Sequence, residues 1–250
     1  MKLARFVDGD EIRYGAVQGD QIRVIEGDPF GEYKVSDSVL ALDSVQLLAP
    51  VAPAKVVCVG LNFADHASEI AQQVPQEPLF FFKPSSAIVA DGETISLPNQ
   101  SNQVEIEAEL AMVVGKRAKG VSTDQAADHI LGFTIANDVT ARDLQFSDLQ
   151  WARSKAFDSF CPVGPWIETE FDFASANVQS RINGKVAQQE KLSNMIRDPY
   201  ELFSYISQNL TLEPGDLILT GSPAGISKIV SGDFVECEIS GIGVLSNPVS

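Results

Sequence analysis

The chain opens with short runs in which apolar and polar residues alternate, over Lys2–Val7, Ile12–Val17 and Gln21–Ile25. Asp8-Gly9-Asp10 and Gln18-Gly19-Asp20 separate these runs with hairpin chemistry, so the pattern predicts a small β-meander over residues 1–50. Pro50 and Pro53 mark a joint, and the apolar run Lys55–Gly60 begins a second region, 51–250. Asn62 to Pro78 is polar and weakly amphipathic, which fits a short helix or a mobile loop before the apolar strand Leu79–Lys83. Farther on, Glu105, Glu107 and Glu109 occupy every second position, with Ile106, Ala108 and Leu110 between them and Ala111–Gly115 after them. On one continuous strand that spacing puts the three carboxylates on one face and the apolar residues on the other. Ser122–Gln125 has capping-box spacing and predicts a helix through Leu131, closed by Gly132 and followed by a strand over Phe133–Val139. Thr140–Asp143 repeats the spacing and predicts a second short helix. Asn183-Gly184 signals a hairpin, Asp198-Pro199 opens a helix through about Asn209, and strands are expected over Leu217–Thr220 and from Gly232-Asp233 through Ile239. The sum is a mixed α+β, β-rich chain whose residues 51–250 form one catalytic domain behind a small N-terminal β region.

At 250 residues the chain can bury a substantial core, and 44% hydrophobic content with mean hydropathy near zero describes a soluble globular protein. The 34 acidic against 18 basic residues give a formal charge of −16, which excludes nucleic acid and anionic membrane surfaces as partners. No leader pattern opens the chain, and no stretch reaches the roughly 18–20 apolar residues of a membrane span, so a cytoplasmic protein is expected. Cys58, Cys161 and Cys237 are odd in number and lie in apolar runs, consistent with buried free thiols in a reducing compartment.

Crowded like charges repel unless something positive stands among them, so the glutamate alternation asks for a cation, although a solvated strand face would show the same spacing. Asp138 ends an apolar run about thirty residues on and offers another acid. Of the two histidines, His129 lies near the end of a predicted helix, where packing or the helix dipole explains it. His66 precedes Glu69 by one helical turn, which describes either a base held by a carboxylate or a surface coincidence. Arg142 and Gln145 share that spacing, as a fork for a substrate carboxylate or as an ion-paired helix start. Lys155, if buried, needs an anionic partner such as Asp158 or a ligand, and Lys83 is a similar candidate. Leu219-Thr220-Gly221-Ser222-Pro223 ends a strand in a loop that either approaches a ligand or simply turns.

Taken in order, Gly60-Leu-Asn62-Phe63-Ala-Asp65-His66, Phe82-Lys83-Pro84-Ser85, Glu107-Ala-Glu109-Leu, Asn137-Asp138-Val-Thr-Ala-Arg142-Asp143, Lys155-Ala-Phe-Asp158, Gly184 and Leu219–Pro223 resemble the fumarylacetoacetate hydrolase family from about residue 55 onward. The resemblance implies a mixed β-sandwich roll with short helices, a homodimer and bound Mg²⁺, with Mn²⁺ or Ca²⁺ as alternatives. By motif, Glu107, Glu109 and Asp138 would hold the metal, leaving Glu105 in a supporting or surface position whose removal spares most of the activity. His66 and Glu69 would activate water on a lid, and Lys155 would stabilise enolate charge. Arg142, Gln145, Gly221, Ser222 and Lys83 would meet the substrate. Ser222 stands where the family more usually carries Thr, and Phe63 where relatives often carry Tyr.

The chemistry so implied is metal-dependent hydrolysis of a carbon–carbon bond in a small anionic 2-oxo (β-diketo) acid, of acylpyruvate or fumarylpyruvate type, through an enolate stabilised by the metal and Lys155. The alternative is decarboxylation or isomerisation of oxaloacetate-like or 2-hydroxyhepta-2,4-dienedioate-like acids in aromatic catabolism, for which the same electron sink serves. Outside enzymology, a structural Ca²⁺-binding β-module would use the glutamate face but not His66, Arg142 or Lys155. An inactive, regulatory family member is a third possibility.

Overall fold

The computed structural model describes residues 1–250. One large sheet runs Tyr33–Ala41, Gln21–Gly27, Glu11–Gln18, Lys2–Asp8, Cys161–Glu168, Ile130–Asn137, Ala108–Val114, Leu217–Leu219, Val56–Gly60 and Leu79–Lys83 from edge to edge. The N-terminal meander therefore shares a sheet with the rest of the chain, because Lys2 and Leu3 pair with Glu168 and Ile167. A four-stranded sheet, ordered Lys185–Lys191, Asn177–Ile182, Phe234–Ile239 and Gly243–Pro248, packs across it. Four short helices complete the roll: α1 Ala64–Glu69, α2 Arg142–Ser147, α3 Ala152–Lys155 and α4 Pro199–Asn209.

The strand Ala108–Val114 lies in the middle of this arrangement and is buried on both faces. Leu110, Met112 and Val114 pack with Val178, Val235 and Leu245 of the four-stranded sheet and with Phe203 and Ile206 of α4. Ala111 and Val113 pack on the other side with Leu3, Val163, Leu217 and Leu219. Two-sided burial explains why every residue of this strand except Glu109 is apolar, rather than every second one. Local signals elsewhere act as expected. The hairpin at Asn183-Gly184 has φ of 52° and 77°, the pair of left-handed residues that a type I′ turn demands. Helix α4 opens with a reciprocal capping box, Asp198 accepting from the Glu201 amide at 2.8 Å and Glu201 from the Asp198 amide at 2.9 Å.

Three local expectations are corrected. The helix after Ser122 is a 3₁₀ segment, Thr123–His129, and the Ser122 hydroxyl donates to the Gln125 side chain at 2.8 Å instead of capping the backbone. Its end comes early because Ile130 pairs with Val114, drawing Gly132 into a strand. Helix α2 begins at Arg142 without a capping box, since Thr140 lies in the short strand Thr140–Ala141 and donates its hydroxyl to the Asp138 carbonyl at 2.8 Å. The glutamate strand is also not continuous. Val104–Ile106 belongs to a three-stranded sheet, between Thr140–Ala141 and Ser227–Lys228, and the chain joins the large sheet only at Ala108.

Cys58, Cys161 and Cys237 are buried and free. Burial pushes the Cys161 and Cys237 thiols up to about 12 and Cys58 well above its ordinary value of 9.0. Each raised thiol keeps its proton in the fold while the unfolded chain loses it, so stability is full below pH 9 and falls as pH rises toward 12, by about 1.4 kcal/mol per thiol and pH unit. Replacing Cys237 with Ala is therefore expected to flatten the alkaline limb of a urea-unfolding series between those values. An unchanged slope would contradict this. The native thiols should also resist alkylation at pH 8 until denaturant is added.

Candidate active site

The site is assembled where the glutamate strand changes sheets. At Glu107 the chain leaves one ladder before entering the next, so two successive amides lose strand partners. Side-chain amides replace them: Glu107 N–H donates to Asn137 Oδ1 at 2.9 Å, and Ala108 N–H donates to Gln188 Oε1 at 3.0 Å. The Glu107 carbonyl accepts from Asp138 N–H at 2.8 Å, which fixes the next acid beside the switch. As a result Glu107, Glu109 and Asp138, all buried, bring one carboxylate oxygen each to within 4.8 Å of one another.

Cations surround this cluster unevenly. Lys155 Nζ donates to Glu107 Oε2 at 2.7 Å and to Asp138 Oδ2 at 2.6 Å. Arg142 uses every arm of its guanidinium on protein groups, pairing Nε with Glu105 Oε2 at 2.7 Å and its two terminal nitrogens with Gln145 and Glu107. Lys83 Nζ stands 2.7 Å from Asp138 Oδ1, yet its hydrogens go to the carbonyls of Val139, Lys155 and Phe160 at 3.0, 2.7 and 2.6 Å. Asp138 Oδ1 thus feels a positive charge but receives no directed hydrogen bond. Glu109 makes no ion pair and takes its one hydrogen bond from the Gly221 amide at 2.6 Å.

The titration behaviour follows. Burial pushes Glu107 upward, but Lys155, Arg142 and His66 outweigh it and hold the carboxyl well below the usual range. Burial, reinforced by Asp138 and Glu107, pushes Glu109 well above that range. Burial pulls Lys155 down, and Asp138 with Glu107 more than restores it. A buried carboxylate lacking a cation and a neighbouring oxygen lacking a hydrogen bond are what a hard, oxygen-seeking divalent cation would satisfy, so Glu107, Glu109 and Asp138 fit such an ion.

A narrow cleft opens on this cluster. His66, Gln145, Lys155 and Ser222 supply its polar wall, and Leu61, Ile70, Phe81 and Trp151 its apolar one. His66 comes from α1, where its Nδ1 lies 3.2 Å from Glu69 Oε2 and its Nε2 lies 3.9 Å from Glu107 Oε1. Glu69 also accepts from the Gly225 amide at 3.0 Å, tying α1 to the loop that carries Ser222. Asn62 anchors the base of α1, donating to the Thr220 carbonyl at 2.7 Å and accepting from the Arg197 amide at 2.9 Å.

The structure brings His66, Glu69, Glu107, Glu109, Asp138, Gln145, Lys155 and Ser222 together at this cleft or its rim. It places three expected substrate contacts differently. Lys83 is enclosed behind Asp138, and Arg142 braces Glu105, Glu107 and Gln145. Gly221, at φ 97°, gives its amide to Glu109, where a Cβ would meet the Asn62 Cβ at 2.8 Å. The anionic partners of Lys155 are Glu107 and Asp138, with no role for Asp158. Glu105 is no surface group, being buried against Arg142. His129 packs its ring 6.3 Å from that of Phe203, away from the cleft. Asn137 and Gln188 went unassigned in the sequence, where an uncharged amide inside a strand carries no signal of its partners.

The sequence profile described as fumarylacetoacetate (FAA) hydrolase C-terminal matches residues 55–250, and one described as Rv2993c-like, N-terminal, matches residues 1–50. The chain is 44% identical over 224 residues to an oxaloacetate tautomerase, FAHD2A, mitochondrial, of Bos taurus, covering 84% of this chain and 71% of that one. It superposes on a 2-hydroxyhepta-2,4-diene-1,7-dioate isomerase from Mycobacterium marinum with a TM-score of 0.93 at 44% identity, over 100% of this chain and 98% of the other. A fumarylacetoacetate hydrolase from psychrophilic Exiguobacterium antarcticum gives 0.90 at 35% identity, over 100% and 99%. No helix is long and apolar enough to cross a membrane.

The uneven charge balance predicts opposite effects at two acids. Glu109→Gln removes a carboxyl whose ionisation burial and its acidic neighbours oppose, so the metal-free protein should melt higher while the rise in Tm on adding Mg²⁺ disappears. Glu105→Ala leaves Arg142 without one buried partner and should cost about 3–5 kcal/mol of stability. Thermal unfolding with and without Mg²⁺ reads both, and a metal-dependent rise in Tm that survives Glu109→Gln would remove Glu109 from the ligand set.

Proposed function

The chain belongs to the fumarylacetoacetate hydrolase family, and from that premise we propose that it is a divalent-metal-dependent enzyme that enolises a small anionic 2-oxo acid and relocates a proton, instead of cutting a carbon–carbon bond. Keto–enol tautomerisation of oxaloacetate-like acids and double-bond isomerisation of 2-hydroxyhepta-2,4-diene-1,7-dioate-like acids are the reactions this covers. The observation that carries it is the pairing of one uncommitted base with one ammonium group across a narrow cleft over the carboxylate cluster.

A cation held by Glu107, Glu109 and Asp138, with Mg²⁺ first and Mn²⁺ or Ca²⁺ as substitutes, supplies Lewis-acid pull on the 2-oxo acid. The Glu69 carboxylate accepts the Nδ1 proton of His66, so Nε2 presents its lone pair to the cleft. Nε2 can then take a proton from the carbon next to the 2-oxo group and return it at the oxygen or at a more distant carbon. Lys155 Nζ places a positive charge beside the carboxylate cluster, where developing enolate charge is stabilised. Gln145 and Ser222 offer hydrogen bonds to the substrate's own carboxylate. Leu61, Ile70, Phe81 and Trp151 form the apolar side against which the rest of the substrate packs.

Acylpyruvate cleavage consumes a water molecule as a second reactant, whereas tautomerisation and isomerisation need the substrate alone. The two similar proteins named as a tautomerase and an isomerase favour proton transfer over hydrolysis. A purely structural Ca²⁺ site would have no use for His66 Nε2 or Lys155 at the cleft wall. From the family resemblance we also propose a homodimer in the cytoplasm, and sedimentation tests the assembly.

Turnover of oxaloacetate enol, a carboxylated heptadienedioate and acetylpyruvate with Mg²⁺ decides between these chemistries. Tautomerisation or isomerisation should exceed cleavage, and His66→Asn should slow it by about 10²–10⁴-fold. Faster cleavage of acetylpyruvate, or full activity in His66→Asn, would refute the proposal.

A further inference from the structure

Gln188 is a neutral side chain with no exposed surface, on the strand Lys185–Lys191, and it does not line the cleft. All four hydrogen-bonding positions of its amide are occupied. Oε1 accepts from the Ala108 amide at 3.0 Å and from the Ser180 hydroxyl at 2.9 Å. Nε2 donates to Ser222 Oγ at 2.7 Å and to the Pro223 carbonyl at 2.8 Å. The Ala108 amide can only donate and the Pro223 carbonyl can only accept, so the two ends of the Gln188 amide cannot be exchanged.

We propose that Gln188 is a positioning residue for the enolising reaction, holding the chain at the sheet switch between Glu107 and Glu109 and orienting the Ser222 hydroxyl as a donor into the cleft. This rests on the proposed function. At the switch, Gln188 supplies the partner that Ala108 loses when the chain changes sheets. At the loop, Nε2 occupies a lone pair of Ser222 Oγ, so the hydroxyl proton must go elsewhere. The Pro223 carbonyl lies 3.5 Å from Ser222 Oγ and already accepts from Gln188, leaving it a poor acceptor for that proton. Ser222 lines the cleft, and the proton is directed there. The hydroxyl then selects an anionic oxygen of the ligand and disfavours a donor at that point.

The consequence is a dependence between two residues that is readable by binding alone. With the full chain saturated in Mg²⁺, oxalate is titrated calorimetrically into wild type, Gln188→Met, Ser222→Ala and the double variant. Gln188→Met lets the Ser222 hydroxyl rotate away, so each single change should weaken oxalate by about tenfold, the size expected for one hydrogen bond to a charged group. With Mg²⁺ saturating in every variant, the hold on the sheet switch is taken up by the metal, and Gln188 reaches the ligand through Ser222, so the double variant should bind no more weakly than Ser222→Ala. Ser222→Thr, which keeps a hydroxyl for Nε2 to orient, should recover most of the loss. Additive losses, wild-type affinity in Gln188→Met, or a Thr variant as weak as Ser222→Ala would each overturn the inference, the last however well Gln188→Met folds. Absence of Mg²⁺-dependent oxalate binding in wild type would overturn the functional proposal, and the inference with it.

Discussion

Four carboxylates, those of Glu105, Glu107, Glu109 and Asp138, are buried around three cationic side chains, Arg142, Lys155 and Lys83. Desolvated charges of one sign cannot be held this close without compensation, so each must be matched or made neutral. Arg142 matches Glu105 and part of Glu107, while Lys155 bridges Glu107 and Asp138. The deficit falls on Glu109, which is buried and hydrogen-bonded only by a backbone amide. Because three of the four charges are already tied down, the deficit is localised at Glu109 and beside Asp138 Oδ1, a buried carboxylate oxygen without a hydrogen bond. A cation is directed to one place rather than shared among four acids.

That localisation depends on the change of sheet at Glu107. On an uninterrupted strand the three glutamates would form a uniform row about 7 Å apart, too far for one small ion to draw on two of them with ease. Breaking the ladder lets Glu105 remain with Arg142 in the small sheet while Glu109 enters the large one, and Glu107 joins the two groups. The break leaves two backbone amides without strand partners in a dry interior, a cost that Asn137 and Gln188 remove. Polar side chains remote from any ligand are therefore part of what makes the carboxylates converge.

Local chemistry made much of this legible in the sequence. Hairpins at Gly9, Gly19 and Asn183-Gly184, the Asp198-Pro199 helix start and the strands at Leu79 and Leu217 depend on residues close together in the chain, and they form where the pattern placed them. The acids, His66, Glu69 and Lys155 stood out as candidates by residue type, and the ordered motifs shared with the family, not their spacing, gave them roles. Long-range partnerships were not legible. Nothing near Lys155 in the chain indicates that its anions come from Glu107 and Asp138, nor that Arg142 is enclosed by Glu105 and Gln145. The capping-box spacings at Ser122 and Thr140 misled for the same reason, since pairing of Ile130 with Val114 and of Thr140 with Glu105 overrides a local preference.

The same distinction bears on reaction choice. A divalent ion among three carboxylates, a histidine held by glutamate and a nearby lysine suit hydrolysis, decarboxylation and isomerisation alike, because each passes through an enolate. Hydrolysis alone needs room for a second reactant, and that room is governed by residues with no chemistry of their own. Here Leu61, Ile70, Phe81 and Trp151 form the apolar wall, and Trp151 Cζ3 lies 2.7 Å from where a Cβ on Gly60 would sit. The wall cannot draw back toward the strand Val56–Gly60 without displacing Trp151, and Trp151 is itself edge-packed on Phe81 at 5.5 Å between ring centres. A motif set can name the electron sink, but the packing of Trp151 against Gly60 and Phe81 shapes the wall beside it.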